Sequence, residues 1–173
     1  LNIISKTLDW KKGDVIVSSP ITFVAGISSA IHCGAKPLFI DIEKKTFNID
    51  PNQLENSLKK NSKIKAAIIT DFAGQPSDWE DLFFLKKKYN IKLINDNCHA
   101  LGAKYKNDIG YATKYSDISC LSFHPVKHIT TGEGGAILTN NQKFSSRFKL
   151  LRSHGIIKAN NPKKKWFYKI NEL

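Results

Sequence analysis

Two side chains in the sequence have types and positions suited to carbonyl chemistry. Lys127 lies between an apolar run at 118–122 and a glycine-rich run at 132–135. Because a lysine at a strand end beside apolar residues is partly removed from water, the neutral amine that attacks carbonyl carbons is favoured there. Asp96 follows the apolar run 92–94 and could hold a cationic ring nitrogen, bind a metal or cap the next element. Taken singly, an exposed loop lysine and a structural aspartate are the simpler interpretations.

A metal site has little support from the spacing of possible ligands. Asp96, Cys98, His99 and His124 could be imagined around zinc, but their separation matches no metal-binding pattern. A nucleophilic Cys98–His99 pair is equally weak, because catalytic pairs meet in space and rarely as sequence neighbours. The 3 cysteines include no C-x-x-C pair, so they indicate neither a zinc ribbon nor a disulfide framework. We expect free thiols and no metal.

The segments around these residues follow short apolar runs that alternate with amphipathic stretches. Apolar runs predict strands, and stretches with helical spacing predict the helices between them. The predicted order is strand 14–18, helix 22–32, strand 37–42, a helix capped by Asp50 with Pro51 in its first turn, strand 65–70, a helix opened by a capping box at 77–80, and strand 91–94. This alternation implies an α/β fold with a mainly parallel, mixed sheet and helices on both faces.

Three further apolar runs follow the predicted parallel strands, at 101–105, 118–122 and 136–139. A last helix is predicted over 144–154, with Gly155 as its C-cap. The glycines at 132–135 lack the spacing of a phosphate loop, and we expect them to permit positive φ before the next strand.

Parallel sheets of this kind bind ligands at the carboxyl ends of their strands. Three polar segments lie at that edge of the predicted sheet, namely 71–74, 95–99 and 122–127. The two residues suited to carbonyl chemistry belong to the second and third of these segments. We therefore expect them to share one crevice.

The charge and hydropathy of the sequence limit the other classes of function. A formal net charge of +12 makes a non-catalytic, basic nucleic-acid-binding module an alternative. The lysines are nevertheless spread along the chain, and the compact runs at 86–88 and 163–165 are typical of a solvated surface, so we expect no nucleic-acid partner. No apolar run approaches the ~20 residues of a membrane span, and the first ten residues do not resemble a signal peptide. A cytoplasmic location without membrane association is expected.

The 173 residues contain no methionine. We therefore interpret the chain as an internal segment of a longer protein. Its length still suffices for one domain with its own core.

Five motifs, taken in chain order, resemble the DegT/DnrJ/EryC1/StrS family of sugar aminotransferases, which have pyridoxal-phosphate (PLP) fold type I. These motifs are residues 19–25, 33–37, 95–103, 122–136 and 152–155. The resemblance runs over almost all of residues 8–157, in order and in spacing. It implies the large PLP-binding domain of that fold.

The resemblance also implies a role for each motif residue. Lys127 would form the internal Schiff base with PLP and later move a proton as general acid–base. Asp96 would pair with the pyridinium nitrogen and keep the ring an electron sink. His99 would lie near the cofactor's 3-oxygen, Phe23 would stack on the ring, and the hydroxyl of Ser122 would contact the phosphate.

Three residues beside these motifs bear on the reaction. Asn95 and Asn97 stand where the family more often has Glu and Ala, and we expect them to tune Asp96. Relatives with histidine in place of the lysine dehydrate sugars, so a PLP- or pyridoxamine-dependent sugar dehydratase is an alternative. Here Lys127 is present and His128 only follows it, which favours transamination.

The resemblance further implies partners and boundaries. Residues 1–157 would be the large domain without its upstream phosphate-binding segment, and residues 158–173 would begin the connection to a small C-terminal domain. The complete protein would be a homodimer that takes an amino group from glutamate and places it on a nucleotide-linked 4-keto-6-deoxy sugar. The most similar subgroup makes 4-amino sugars for pseudaminic acid from a UDP-linked substrate. The isolated chain would be inactive.

Overall fold

The computed structural model describes residues 1–158 and 168–170. Within these residues the helices and strands alternate along most of the chain. The elements are α1 (Asn2–Thr7), β1 (Val15–Ser18), α2 (Ala25–His32), β2 (Lys36–Phe39), α3 (Pro51–Lys60), β3 (Ile64–Thr70), α4 (Trp79–Tyr89), β4 (Lys92–Asp96), α5 (Tyr111–Tyr115), β5 (Ile118–Ser122), β6 (Gly135–Leu138), α6 (Gln142–Arg152), β7 (Ile156–Lys158) and β8 (Tyr168–Ile170).

One mixed sheet organises the chain, with its strands in the order β2-β1-β3-β4-β5-β6. The pairs from β2 through β5 are parallel, and β6 pairs antiparallel with β5. The predicted α/β fold with a mainly parallel, mixed sheet is therefore confirmed. None of the described helices combines the length and the apolar character that a membrane span requires.

Two hydrophobic clusters lie on the two faces of the sheet. Side chains of α3, α4 and α5, including Leu54, Trp79 and Tyr111, pack on one face. Side chains of α1, α2 and α6, including Ile4 and Phe148, pack on the other. Because both faces are covered, most residues of the central strands β3 and β4 are buried, which explains why these strands read as largely apolar runs in the sequence.

Strand β3 illustrates how this burial stabilises the sheet. Ile68 and Ile69 point to opposite faces and are at most 1% exposed. Burial of an isoleucine side chain contributes about 1.5–3 kcal/mol. The polar segments that follow β3, β4 and β5 are thus held at the edge of a rigid layer.

Several local expectations differ from the structure. Helix α2 begins at Ala25 rather than at residue 22, and α6 begins at Gln142, where the side chain of Asn141 accepts hydrogen bonds from the backbone. The C-cap of α6 is Ser153, and Gly155 lies two residues further on with φ +71°. Residues 101–105 form no strand and end in an isolated bridge between Tyr105 and Asp108.

The expected capping box at 77–80 does not form. The N-cap of α4 is Asp78, whose side chain makes no capping hydrogen bond. Ser77 instead donates its hydroxyl to the carbonyl of Thr70 and its backbone N–H to Asp71. A tertiary contact with the end of β3 replaces the local cap.

Strands β7 and β8 pair antiparallel in a small sheet of their own. The expected connection at 158–173 begins within this sheet. Its remaining residues, 159–167 and 171–173, lie outside the described part of the chain, as does the lysine run 163–165.

A buried carboxylate fixes the carboxyl end of β3 against α4 and α5. Asp71 is 0% exposed, and its Oδ1 accepts hydrogen bonds from Ser77 N at 2.8 Å and Trp79 Nε1 at 3.0 Å. Its Oδ2 accepts from Asn95 Nδ2 at 2.7 Å and Tyr111 Oη at 2.8 Å. Burial raises the pKa of Asp71, and the hydrogen bonds from Ser77, Tyr111 and Asn95 oppose that shift.

Replacing Asp71 by alanine should destabilise the protein strongly, since four donors lose their acceptor inside the structure. Each buried donor left without a partner costs about 1–3 kcal/mol, so we expect Asp71→Ala to lower the free energy of unfolding by at least ~3 kcal/mol. Urea unfolding followed by tryptophan fluorescence measures this. The control is Asp81→Ala in the exposed first turn of α4, where the loss should stay below about 1 kcal/mol. Equal effects of the two changes would contradict the network.

Candidate functional site

The carboxyl end of β4 places Asp96 in the middle of a row of three side chains. Asp96 is the last residue of the strand rather than the first residue after it. Its register partners are Thr70 on β3 and Cys120 on β5. Paired residues of neighbouring parallel strands point to the same face, so the three side chains share one side of the sheet.

The carboxylate of Asp96 is buried without a cationic partner. The residue is 6% exposed, and it forms no ion pair within the described residues. Its Oδ1 accepts a hydrogen bond from Cys98 N at 3.3 Å, and the thiol of Cys120 lies 3.8 Å from the same oxygen. Because a buried charge is costly unless it is paired, this position is suited to a cation.

Lys127 lies in the loop that joins β5 to β6. Hydrogen bonds from Phe123 N to the Gly134 carbonyl, at 2.9 Å, and from Thr131 N to the Phe123 carbonyl, at 3.0 Å, close the base of this loop. Lys127 N donates to the His124 carbonyl at 2.9 Å, which makes a tight turn just before the half-buried amine. These hydrogen bonds thus fix the backbone of the loop that carries Lys127.

The glycine-rich run serves this loop in a different way from the one expected. Within residues 132–135 only Gly132 adopts positive φ, as expected; Gly134 and Gly135 do not. A Cβ on Gly135 would lie 2.7 Å from the carbonyl oxygen of Leu121, and one on Gly134 would collide with the hydroxyl of Thr131. Gly135 is needed because the antiparallel backbones of β5 and β6 approach closely there, whereas the atoms that a Cβ on Gly134 would meet belong to side chains.

One large cavity brings the predicted site residues together. It has a volume of about 1110 Å³ and lies over the carboxyl ends of β3, β4 and β5. All five residues expected from the sequence line it, namely Phe23, Asp96, His99, Ser122 and Lys127. A second hollow of about 340 Å³ adjoins it, and His99 and Lys127 line both.

Burial and nearby charges in the cavity shift the pKa of His99. Burial lowers the pKa of its imidazole, the charge of Lys127 lowers it further, and Asp96 acts in the opposite direction. Both charges therefore act on one imidazole from nearby positions. The ring also packs edge-on against Phe72, with centroids 6.1 Å apart. The lowered pKa favours the neutral imidazole, and the contact with Phe72 orients its ring.

Ser122 and Phe23 both line the cavity. Ser122 ends β5, is half-buried, and its Oγ accepts a hydrogen bond from His124 N at 3.3 Å. Phe23 precedes α2 and is 70% exposed, an unusual degree for a large aromatic residue. An exposed ring at the rim and a half-buried hydroxyl at a strand end are both accessible to a ligand.

Sequence reasoning missed some polar groups in the cavity wall. The hydroxyls of Thr22 and Thr70 lie 2.8 Å apart, and both residues line the cavity. Cys98 beside it and burial hold the pKa of the Cys120 thiol well above its usual range. Alignment of β3 and β5 with β4 in the predicted sheet would have indicated Thr70 and Cys120, but their register cannot be derived from hydrophobic pattern alone.

The two asparagines that flank Asp96 lie away from the cavity. Side chains alternate along a strand, so Asn95 points to the opposite face, where its Nδ2 binds Asp71 and its Oδ1 accepts from Ser119 at 2.9 Å. Asn97 is 7% exposed and lies 3.5 Å from the hydroxyl of Tyr111. Their contacts support the backbone on either side of Asp96 rather than touching its carboxylate.

The sequence matches the profile of the DegT/DnrJ/EryC1/StrS aminotransferase family over residues 1–171. The chain belongs to this family. The matched residues include the strand ends and the loop between β5 and β6 described above. Membership confirms the resemblance inferred from the five motifs.

Individual members of the family show the same relationship. A UDP-4-amino-4,6-dideoxy-N-acetyl-beta-L-altrosamine transaminase of Campylobacter jejuni is 48% identical over 149 residues, which are 85% of this chain and 39% of the relative. PseC of Helicobacter pylori, an aminotransferase involved in pseudaminic acid biosynthesis, is 30% identical with a TM-score of 0.86, over 99% of this chain and 45% of that one. NtdA of Bacillus subtilis, solved with bound cofactor PMP, is 28% identical with a TM-score of 0.81, over 96% and 37%. This chain spans about two fifths of the length of such relatives.

The lowered pKa of His99 should make stability depend on pH. Below the usual histidine pKa of about 6.5, the unfolded chain binds a proton that the folded imidazole resists, so stability falls as the pH falls. We expect the urea midpoint to decline less between about pH 7.5 and about pH 5.5 in His99→Gln than in the unaltered protein. The exposed His32 at the end of α2 provides the matched control, His32→Gln. An unchanged decline in His99→Gln would contradict the assignment.

Proposed function

We propose that the protein containing this chain is a PLP-dependent aminotransferase acting on a nucleotide-linked keto-sugar. The observation that carries the proposal is that one cavity is lined by half-buried Lys127, which has a primary amine, and by the buried carboxylate of Asp96. Among the described residues, Asp96 has no cationic partner. A pyridine ring with an aldehyde group requires both partners. Family membership and the PMP-bound NtdA structure support the same conclusion.

The side chains in the cavity fit the chemical groups of PLP. The carboxylate of Asp96 would hold the ring nitrogen in its protonated form, and Lys127 would bind the aldehyde carbon. When bound, PLP withdraws electrons from the carbon that carries the amino group, so that its proton can be removed. Phe23 would cover one face of the ring, and the Ser122 hydroxyl would bind the phosphate together with groups elsewhere in the complete protein.

Proton transfer in this arrangement belongs to Lys127. Its Nζ would take a proton from the amino-bearing carbon of the donor and return one to the keto carbon of the acceptor in the second half-reaction. His99 would supply a neutral imidazole beside the ring, since burial and the charge of Lys127 lower its pKa.

The finer assignments follow the relatives. We propose a UDP-linked 4-keto-6-deoxy sugar as acceptor and glutamate as amino donor, because the Campylobacter jejuni and Helicobacter pylori relatives carry names from the pseudaminic acid pathway. We also propose that residues 1–157 form the PLP-binding large domain and that 158–173 begin the connection to a small domain. A homodimer in the cytoplasm remains a prediction from the family resemblance.

Replacing Lys127 should remove covalent attachment of PLP. Borohydride reduction of the complete protein with PLP should fix the cofactor mass on the peptide that contains Lys127, because this lysine lines the cavity together with Asp96 and His99. Peptide mass spectrometry of Lys127→Ala should show no such adduct. Lys149 lines the same cavity, so Lys149→Ala is the matched control and should keep the adduct. An adduct that persists in Lys127→Ala would refute the role.

Replacing Asp96 should slow the reaction while PLP can still attach. An amide does not hold the ring nitrogen protonated, so we expect Asp96→Asn to lower kcat on the order of 100-fold or more. The measurement is amination of a UDP-linked 4-keto sugar with glutamate as donor. Asp108→Asn changes an exposed carboxylate that pairs with Lys114 and should leave kcat unaltered. Turnover of Asp96→Asn close to that of the control would count against the pairing.

A further inference from the structure

We propose that Asp96, Cys98 and Cys120 form a binding site for a thiophilic divalent cation, such as Zn²⁺, in the protein without its cofactor. One ligand atom from each residue, a carboxylate oxygen and two Sγ atoms, lies within 4.8 Å of the other two. The part of the proposal that concerns competition with PLP rests on the proposed function. The metal site itself rests on the geometry of these three side chains.

The fold brings the three groups together through strand register. Asp96 and Cys120 are paired residues on β4 and β5, so their side chains point to the same face. Cys98 comes two residues after Asp96, and the intervening Asn97 N donates to the Cys120 carbonyl at 3.0 Å. This hydrogen bond extends the β4–β5 pairing by one residue and keeps the thiol of Cys98 beside that of Cys120, whose carbonyl oxygen it approaches at 3.8 Å.

The chemistry of the three groups selects a soft cation. Two thiolates favour zinc and similar metals over magnesium or calcium, and a carboxylate oxygen is a common third zinc ligand. Three protein ligands leave one tetrahedral position for water. Metal–ligand distances of about 2.0–2.3 Å require the side chains to close around the ion by rotation about their χ1 bonds.

Two further observations favour a cation at this point. Asp96 is 6% exposed and has no ion-pair partner within residues 1–158 and 168–170, so a bound cation would compensate a buried charge. All three ligand residues line the large cavity, which provides an entry path from solvent. The backbone N–H of Cys98 already orients Oδ1 of Asp96.

The sequence alone had suggested Asp96, Cys98, His99 and His124 as possible metal ligands, although their spacing matches no metal-binding pattern. The structure groups a different set. His99 and His124 are not members of the cluster, and Cys120 replaces them from the neighbouring strand. Cys33 lies elsewhere, after α2, where its thiol contacts Ser5 Oγ at 3.3 Å. Because Cys98 and Cys120 are 22 residues apart, no local motif reveals their proximity.

Metal and cofactor should exclude one another. Asp96 is a ligand of the metal in one case and the partner of the pyridinium nitrogen in the other. A single carboxylate at the bottom of one cavity cannot serve both cations at once. Zinc bound before the cofactor would therefore keep the protein from being loaded with PLP.

The test uses Cd²⁺ as a spectroscopic substitute for Zn²⁺ on the complete protein after removal of PLP. Thiolate-to-cadmium charge-transfer absorbance in the ultraviolet counts the bound thiolates independently of enzyme activity. We expect one Cd²⁺ per chain, with affinity at least tenfold weaker in Cys98→Ser and in Cys120→Ser. Cys33→Ser is the matched control and should bind Cd²⁺ as the unaltered protein does. Circular dichroism of each variant verifies that it is folded.

Charge-transfer absorbance that survives in both Cys98→Ser and Cys120→Ser, or that disappears in Cys33→Ser, would overturn the site. Saturation with PLP before Cd²⁺ should suppress the absorbance, and full binding of both together would overturn the competition. The proposed function fails separately if borohydride fixes no PLP on the protein. In that case a cysteine-dependent Cd²⁺ signal would still establish the metal site.

Discussion

The arrangement of the cavity depends on the carboxylate of Asp96, which is buried at the end of β4 and forms no ion pair with any residue in the described part of the chain. A charge in that position is unfavourable unless a ligand compensates it. The fold keeps it there because β3 and β5 flank it on both sides and because the Asp71 network fixes the ends of β3 and β4 from the opposite face. The stable framework thus holds the Asp96 carboxylate in a buried position where its charge is suited to a cationic ligand.

The proposed cofactor site also requires an amine in the same cavity as that carboxylate. The β5–β6 loop meets this requirement because antiparallel pairing of β6 closes the loop on itself, and Gly135 allows the two backbones to approach closely. Lys127 and Asp96 consequently come from adjacent strand ends although 31 positions separate them in the sequence. Both charges affect the pKa of His99: Lys127 lowers it and Asp96 raises it, in addition to the lowering by burial. The proposed cofactor chemistry, the proposed metal site and the expected pH response all involve residues at this edge of the sheet.

The hydrophobic pattern predicted the α/β architecture because both faces of the sheet are covered and the buried strands are largely apolar. Motif resemblance predicted the five cavity residues, and the structure places all of them around one cavity. Local rules failed where tertiary contacts replaced them. Ser77 binds the end of β3 instead of capping α4, and Gly134 and Gly135 avoid steric collision instead of adopting positive φ. Cys120 and Thr70 were missed because strand register is a property of the assembled sheet.

The central claim is that Asp96 and Lys127 bind two ends of the same pyridine ring. A crystal structure of the complete protein with PLP tests it most directly. We expect the ring nitrogen at about 2.7–2.9 Å from a carboxylate oxygen of Asp96 and the aldehyde carbon bonded to Nζ of Lys127. A ring bound elsewhere in the cavity, or turned so that its nitrogen points away from Asp96, would contradict it.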